Sequence, residues 1–279
     1  MKWSIIADSS CDLSSAYITD ENIRFRTIPF IISVGENEYT DNEELDVELM
    51  MNDMENSDKP SSSACPSPHM WEEEFKKADN TIAITVSSSL SGSHNSASIA
   101  KEHVLEEYPD KNIHILDSLS TGPECAMCIL QVVDWIKQGL TFYDITEKAE
   151  KFLHDTHTAF ALCSFDNLIK NGRMNKIVGF IAKTIGIWGV GTASSHGTIF
   201  MKGKARGITK AISIITDYMH NCKFSGGSVM ISHCFNPEIA EKLKAAIIET
   251  WPTSKIAILA TRGLDSYYAE RGGLIVAFK

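Results

Sequence analysis

Five serines and a glycine fall between residues 87 and 93: Ser87, Ser88, Ser89, Ser91, Gly92 and Ser93. They follow the apolar run 82–86 and precede a helical stripe made by Ala97, Ala100, Val104 and Tyr108. A strand that ends in such residues brings hydroxyls and unpaired amides to the first turn of the next helix. There the free N–H groups and the helix dipole favour a carboxylate or a phosphate. Ser91 or Ser93 is the expected cap. Taken alone, the loop leaves a plainer reading open, in which the serines only cap and turn.

Other constellations in the chain compete with this anion site. Ser91 sits on a strand-to-helix turn, and Asp117, His196 and His233 follow it in the order of a serine hydrolase triad. A nucleophile elbow needs Gly-x-Ser-x-Gly, and both glycines are serines here, so this stands as the enzyme alternative only. None of the nine histidines forms an HxH or HExxH pair, and His154 with His157 reads as solvent-facing. No metal site is expected. Cys125 and Cys128 form a CxxC that is either a redox pair or two small residues in a helix; the second is favoured because no second pair completes a zinc site. No Walker motif is present, and the glycines at 186, 189 and 191 are in the wrong order for a dinucleotide loop. The chain is therefore expected to carry no nucleotide cofactor of its own.

The bulk properties narrow the class further. The 279 residues are 43% hydrophobic and 22% charged, which suits two ordinary globular cores. Lys and Arg number 26 against 36 Asp and Glu, and a net charge of -10 argues against nucleic acid as a partner. The first residues lack a signal-peptide core, and the apolar stretch 177–193 is broken by Lys183 and four glycines, too diluted to span a membrane. Seven cysteines without regular spacing fit thiols in a reducing compartment, so the expected location is the cytoplasm.

Apolar runs at 3–7, 26–33, 81–86 and 112–116 alternate with helical patterns or loops, the signature of βα units around a mostly parallel sheet. Three of them end alike, at Asp8-Ser9-Ser10, at Ser87-Ser88-Ser89 and at Asp117-Ser118, which in a parallel sheet share the ligand-binding edge. Residues 57–69 carry three prolines and read as a fixed loop. In the second half a helical stripe at Ile208, Ala211, Ile212, Ile215 and Met219 and runs at 228–232, 255–260 and 274–278 supply a second sheet. The expected domains are 1–157 and 158–279.

Six stretches of the chain, ADSSCDL (7–13), SACPSP (63–68), VSSSLSGSHNSA (86–97), LDSLSTG (116–122), LIKNGRMNK (168–176) and KARG around Arg206, occur in an order and spacing similar to the DegV family of bacterial fatty-acid-binding proteins. The resemblance covers nearly the whole chain. It implies two α/β domains, each a mostly parallel sheet flanked by helices, with a ligand tunnel between them. It further implies a non-enzymatic protein that binds one long-chain fatty acid. Several members present that acid to a separate ATP-binding subunit of a fatty acid kinase, which makes the acyl phosphate. A lipid carrier or sensor without a kinase is the alternative, and transient contact with a membrane surface fits either.

Carried over by position, Ser63 stands where the family has Thr, Ser88 and Ser91 lie in the carboxylate-holding serine motif, and Tyr268 replaces the usual His. The phenol can donate a hydrogen bond but brings no positive charge at neutral pH. Arg173 follows from the family's Gly-Gly-Arg, here Asn171-Gly172-Arg173, and is expected on the exposed face near the tunnel mouth, toward a partner or its phosphates. Trp188-Gly189 replaces a Lys-Pro pair, so the indole either bends the tunnel or is plain core. Each head-group hydrogen bond would contribute about 1.5 to 3 kcal/mol, whereas an acyl chain at roughly 0.8 kcal/mol per methylene gains on the order of 10 kcal/mol.

Overall fold

The structure is a computed structural model that describes residues 3–174 and 186–279. The end of the LIKNGRMNK stretch and the part of the long apolar region before Gly186, with Lys183, lie outside the described residues. In chain order the first half contains β1 (Trp3–Asp8), β2 (Ile23–Ile28), β3 (Ile31–Val34), β4 (Asn37–Thr40), α1 (Val47–Asn56), β5 (Ser61–Ala64), α2 (Pro68–Phe75), β6 (Asn80–Thr85), α3 (Ser93–Glu107), β7 (Asn112–Asp117), α4 (Pro123–Lys137) and α5 (Phe142–His154). The second half contains β8 (His157–Leu162), α6 (Asp166–Lys170), β9 (Ile187–Ala193), β10 (Ile199–Arg206), α7 (Ile208–Asn221), β11 (Ser228–His233), α8 (Pro237–Thr250), β12 (Lys255–Ala260), α9 (Gly263–Ala269) and β13 (Leu274–Phe278).

The first sheet has the order β2-β1-β6-β7 and is parallel throughout. Every residue of β6 is buried, because alternate side chains meet helices on both faces. Ile5, Ala7, Ile82 and Ile84 pack on α4 and α5, while Ile6 and Ala83 pack on Trp71 and Phe75 of α2 and Ala97 and Val104 of α3. Parallel pairing brings Asp8, Thr85 and Asp117 to one edge, the edge the three polar strand ends predict.

Two segments differ from expectation. The run 26–33 is two strands, since Pro29 has no amide to continue a ladder: β2 ends at Ile28, and β3 joins a separate antiparallel sheet of order β4-β3-β5. Residues 57–69 are not only loop, because Ser61–Ala64 form β5, an edge strand flanked by Pro60 and Pro66, with Ser63 opposite Ile32.

The second sheet is also a correction. Its order is β10-β9-β8-β13-β11-β12, and only β11 and β12 are parallel. A short turn at 194–198 joins β9 to β10, and so tight a connection permits only an antiparallel pair. One face of this sheet packs on α7 and α8; Trp188 lies in that core with Val190 and Ala211. The other face turns Phe160, Leu162 and Ile275 toward β3, α1 and α9.

Helix α4 lies between the two large sheets. It contacts β6 on one side and β11 and β13 on the other, so nine of its fifteen residues are buried. Among the described residues no helix is long and apolar enough to cross a membrane, and no His, Cys, Asp and Glu cluster could hold a metal ion.

Candidate ligand-binding site

The serine loop after β6 divides its side chains between scaffold and cavity. Ser87 is buried; its amide donates to the Ser120 carbonyl at 2.8 Å and its hydroxyl to the Gly197 carbonyl at 2.8 Å. Ser89 Oγ donates to the His196 carbonyl at 2.6 Å, so two serines of the first half tie down the β9–β10 turn of the second. Ser93 Oγ donates to Asp8 Oδ2 at 2.6 Å, and the Val86 amide donates to the same oxygen at 3.0 Å. Burial still raises the Asp8 carboxyl above its ordinary range despite these bonds.

Ser91 is left for the cavity. It lies one residue before Gly92, which rather than Ser91 or Ser93 is the N-cap of α3, and its Oγ accepts the Ser93 amide at 3.2 Å. Ser88, expected to join it, does not: the side chain is exposed and outside the cavity wall, and its amide donates to Asp117 Oδ1 at 3.0 Å. The physical reason is the turn itself. The Leu90 and Ser91 amides both bond back to the Ser87 carbonyl, which folds Ser88 outward.

The cavity and its open mouth together take in about 850 Å³, solvent at the mouth included. Ser63, Ser91, Arg173 and Tyr268 share its wall. Ser63 Oγ lies 2.7 Å from Tyr268 OH, joining β5 to α9 across 205 positions of sequence. Arg173 is half-buried rather than on the exposed face: its Nε donates to the Leu90 carbonyl at 3.2 Å, and its guanidinium carbon is 5.9 Å from the centre of the Tyr268 ring. A cation thus stands beside the phenol. The remaining wall is mostly apolar, with Phe30, Val86 and Leu264 on one side and Phe160, Leu162 and Ile275 on another.

Trp188 does not touch this cavity. The hydrolase constellation is not assembled either: Asp117 holds the Ser88 and Leu119 amides, His233 Nδ1 accepts the Asn236 amide, and neither His196 nor His233 lines the cavity beside Ser91. Cys125 and Cys128 are buried in α4 with thiols pushed up by burial, which suits packing and not redox exchange. Of the two histidines read as solvent-facing, His154 is exposed but His157 is half-buried against Phe278.

Sequence reasoning missed the residues that hold α9. Asp41 Oδ1 and Oδ2 accept the Gly263 and Leu264 amides, each at 2.9 Å, and Thr121 Oγ1 donates to Asp265 Oδ1 at 2.7 Å. An acidic residue in a short apolar helix was the one available signal.

This arrangement suits an amphiphile with a single anionic end: hydroxyl donors and a cation share the wall of a mostly apolar cavity. Known proteins share its frame. A DegV domain-containing protein of Streptococcus pyogenes serotype M1 is 39% identical over 279 residues, all of both chains. The Fak B3 protein of Streptococcus pneumoniae fatty acid kinase, solved loaded with linoleic acid, is 38% identical with a TM-score of 0.97, over 100% of this chain and 99% of that one. A DegV family protein of Eubacterium eligens, loaded with heptadecanoic acid, is 33% identical with a TM-score of 0.94 over 99% of each chain. The profile described as uncharacterised protein, DegV family, matches residues 2–276, and the chain belongs to that family.

Proposed function

We propose that this protein binds one long-chain fatty acid, with its carboxylate at Ser63, Ser91 and Tyr268 beside Arg173 and its tail along the Phe30 and Phe160 walls. The observation that carries this reading is the Ser63–Tyr268 hydroxyl pair, 2.7 Å apart, at the wall of a mostly apolar cavity. Two hydroxyls so placed leave a donor for an anionic oxygen, and Ser91 adds another. Relatives solved with linoleic and heptadecanoic acid support the ligand class. Affinity comes chiefly from the tail, at about 0.8 kcal/mol per buried methylene, and the head group sets orientation.

The same reading makes the chain a non-catalytic subunit that presents its acid to an ATP-binding kinase subunit. Seven free cysteines suit a reducing cytoplasm. Tyr268 in place of the family's usual His favours a second reading, a lipid carrier that meets no kinase. Native mass spectrometry of the purified protein, followed by extraction of the released molecule, tests the ligand. One long-chain acid per chain is expected; an empty protein that also ignores added fatty acid rejects the assignment. Acyl phosphate formed with a purified kinase subunit then separates presenter from carrier.

A further inference from the structure

Helix α9 carries Tyr268 into the cavity wall, and three carboxyl groups from different elements hold its start. Asp41, after β4, takes the first two amides of the helix. Asp12, in the turn after β1, accepts the Arg262 amide on Oδ1 at 2.8 Å. Asp265, within α9, accepts the Thr121 hydroxyl on Oδ1. The remaining oxygens, Asp12 Oδ2 and Asp265 Oδ2, are buried without any other partner and close enough to interact with each other. Both press on Gly122, where a Cβ would stand 2.4 Å from Asp265 Oδ2 and 3.0 Å from Asp12 Oδ2. Two carboxylates in such contact, out of water, cannot both stay charged.

We propose that Asp265 and Asp12 are positioning residues for the fatty-acid head group: one proton shared between them ties α9, and through it Tyr268, to the first half of the chain. The inference rests on the fatty-acid reading of the cavity. The groups around the pair are few. The Arg262 guanidinium, just before α9, acts on Asp41, and Asp41 in turn acts on the pair. Asp8 is held by Ser10, Ser93 and Val86, and the Cys11 thiol stays neutral because burial pushes it up. The Ser232 hydroxyl of β11 lies near Asp12 but closes no hydrogen bond there. Loss of the shared proton adds one negative charge to the cluster of Asp12, Asp41 and Asp265. Burial raises Asp12 to about 7 and Asp265 well above its ordinary value, so the proton is present at neutral pH and lost on the alkaline side. The added charge would repel α9 from the turn after β1 and draw Tyr268 away from Ser63.

Displacement of a fluorescent long-chain fatty acid from the full chain, followed from pH 6.5 to 9, tests this. Wild-type affinity is expected to fall about tenfold across the range, the effect of one pKa unit of coupling. Asp265→Asn places a permanent N–H donor where the proton sits and keeps a carbonyl for Thr121. It should hold affinity within about threefold of the neutral wild-type value at every pH. Asp12→Asn is the second variant, with the same flattening expected, should the first not fold. A merely structural role would lower affinity without changing the pH profile. Parallel profiles in wild type and variants, or a flat wild-type profile with normal binding, overturn the inference alone. No binding by wild type at any pH overturns the fatty-acid reading and the inference with it.

Discussion

Ser87 and Gly197 meet across the boundary between the two halves of the chain: the serine hydroxyl donates to the glycine carbonyl at 2.8 Å, and a Cβ on Gly197 would lie 2.1 Å from that hydroxyl. Gly197 also has a φ of +72°, and its Cβ would stand 2.9 Å from the Leu119 backbone, which cannot swing aside. Gly197→Ala is therefore expected to destabilise the protein by roughly 2 to 4 kcal/mol, combining left-handed strain with the clash. Urea denaturation would measure it, and an unchanged midpoint would show that the β9–β10 turn is not held as described.

Head-group substitutions should separate residues that the sequence groups together. On the proposed geometry Ser91→Ala and Tyr268→Phe should each cost one hydrogen bond to the carboxylate, about 1.5 to 3 kcal/mol, or roughly ten- to a hundredfold in fatty-acid affinity. Ser88→Ala should leave affinity unchanged, because Ser88 faces solvent. Calorimetric titration with one long-chain acid checks all three, and equal losses for Ser88 and Ser91 would refute the assigned geometry.

Stability should rise on mild acidification. Burial raises Asp8, Asp41 and Asp265, and brings Asp12 and Glu124 to about 7. Between the ordinary carboxyl range and about 7 the folded chain holds more protons than the unfolded one, so the stability these groups contribute at low pH is lost as pH rises. Glu74 runs the other way: its carboxyl is lowered, with desolvation opposing and the Arg24 hydrogen bond prevailing, so its contribution disappears only as pH falls below its ordinary range. Thermal melts at pH 5.5 and pH 8 should show the higher Tm at 5.5. Glu124→Gln should reduce the difference.

Chain length should respond to Gly191. A Cβ there would lie 2.3 Å from the Phe160 ring, which lines the cavity, and 2.8 Å from the Phe200 carbonyl. Since the backbone cannot yield, Gly191→Ala should push the ring into the tail's space. Losing room for about two methylenes costs near 1.6 kcal/mol, so affinity for a long acid should fall about tenfold relative to a shorter one. Equal losses for both lengths would mean the ring moved elsewhere.

The parallel sheet was legible because the buried runs of β1 and β6 and their polar ends follow from residue type alone. The serine loop was legible for the same reason, and the family resemblance named Ser63, Ser91 and Tyr268, which lie on one wall. Pairing was not legible: periodicity tells which side chains face a core, not which strand lies alongside, so the β4-β3-β5 sheet and the antiparallel second sheet escaped. Serine type alone also could not distinguish Ser88 from Ser91, because a backbone turn decides which one faces inward. No pattern around Arg173 reveals the Leu90 carbonyl that draws it in from the exposed face. Asp12, Asp41 and Asp265 left no periodic trace, since what joins them is the tertiary approach of three distant segments.

Helix α4 is shared masonry, with one sheet resting on each of its sides. A jaw-like parting of the two halves would strip that helix from one core or the other and open a dry interface to water. The bonds of Ser87 and Ser89 to the β9–β10 turn, and of Ser63 to Tyr268, involve none of that helix's residues, so each can break while the central wall stands.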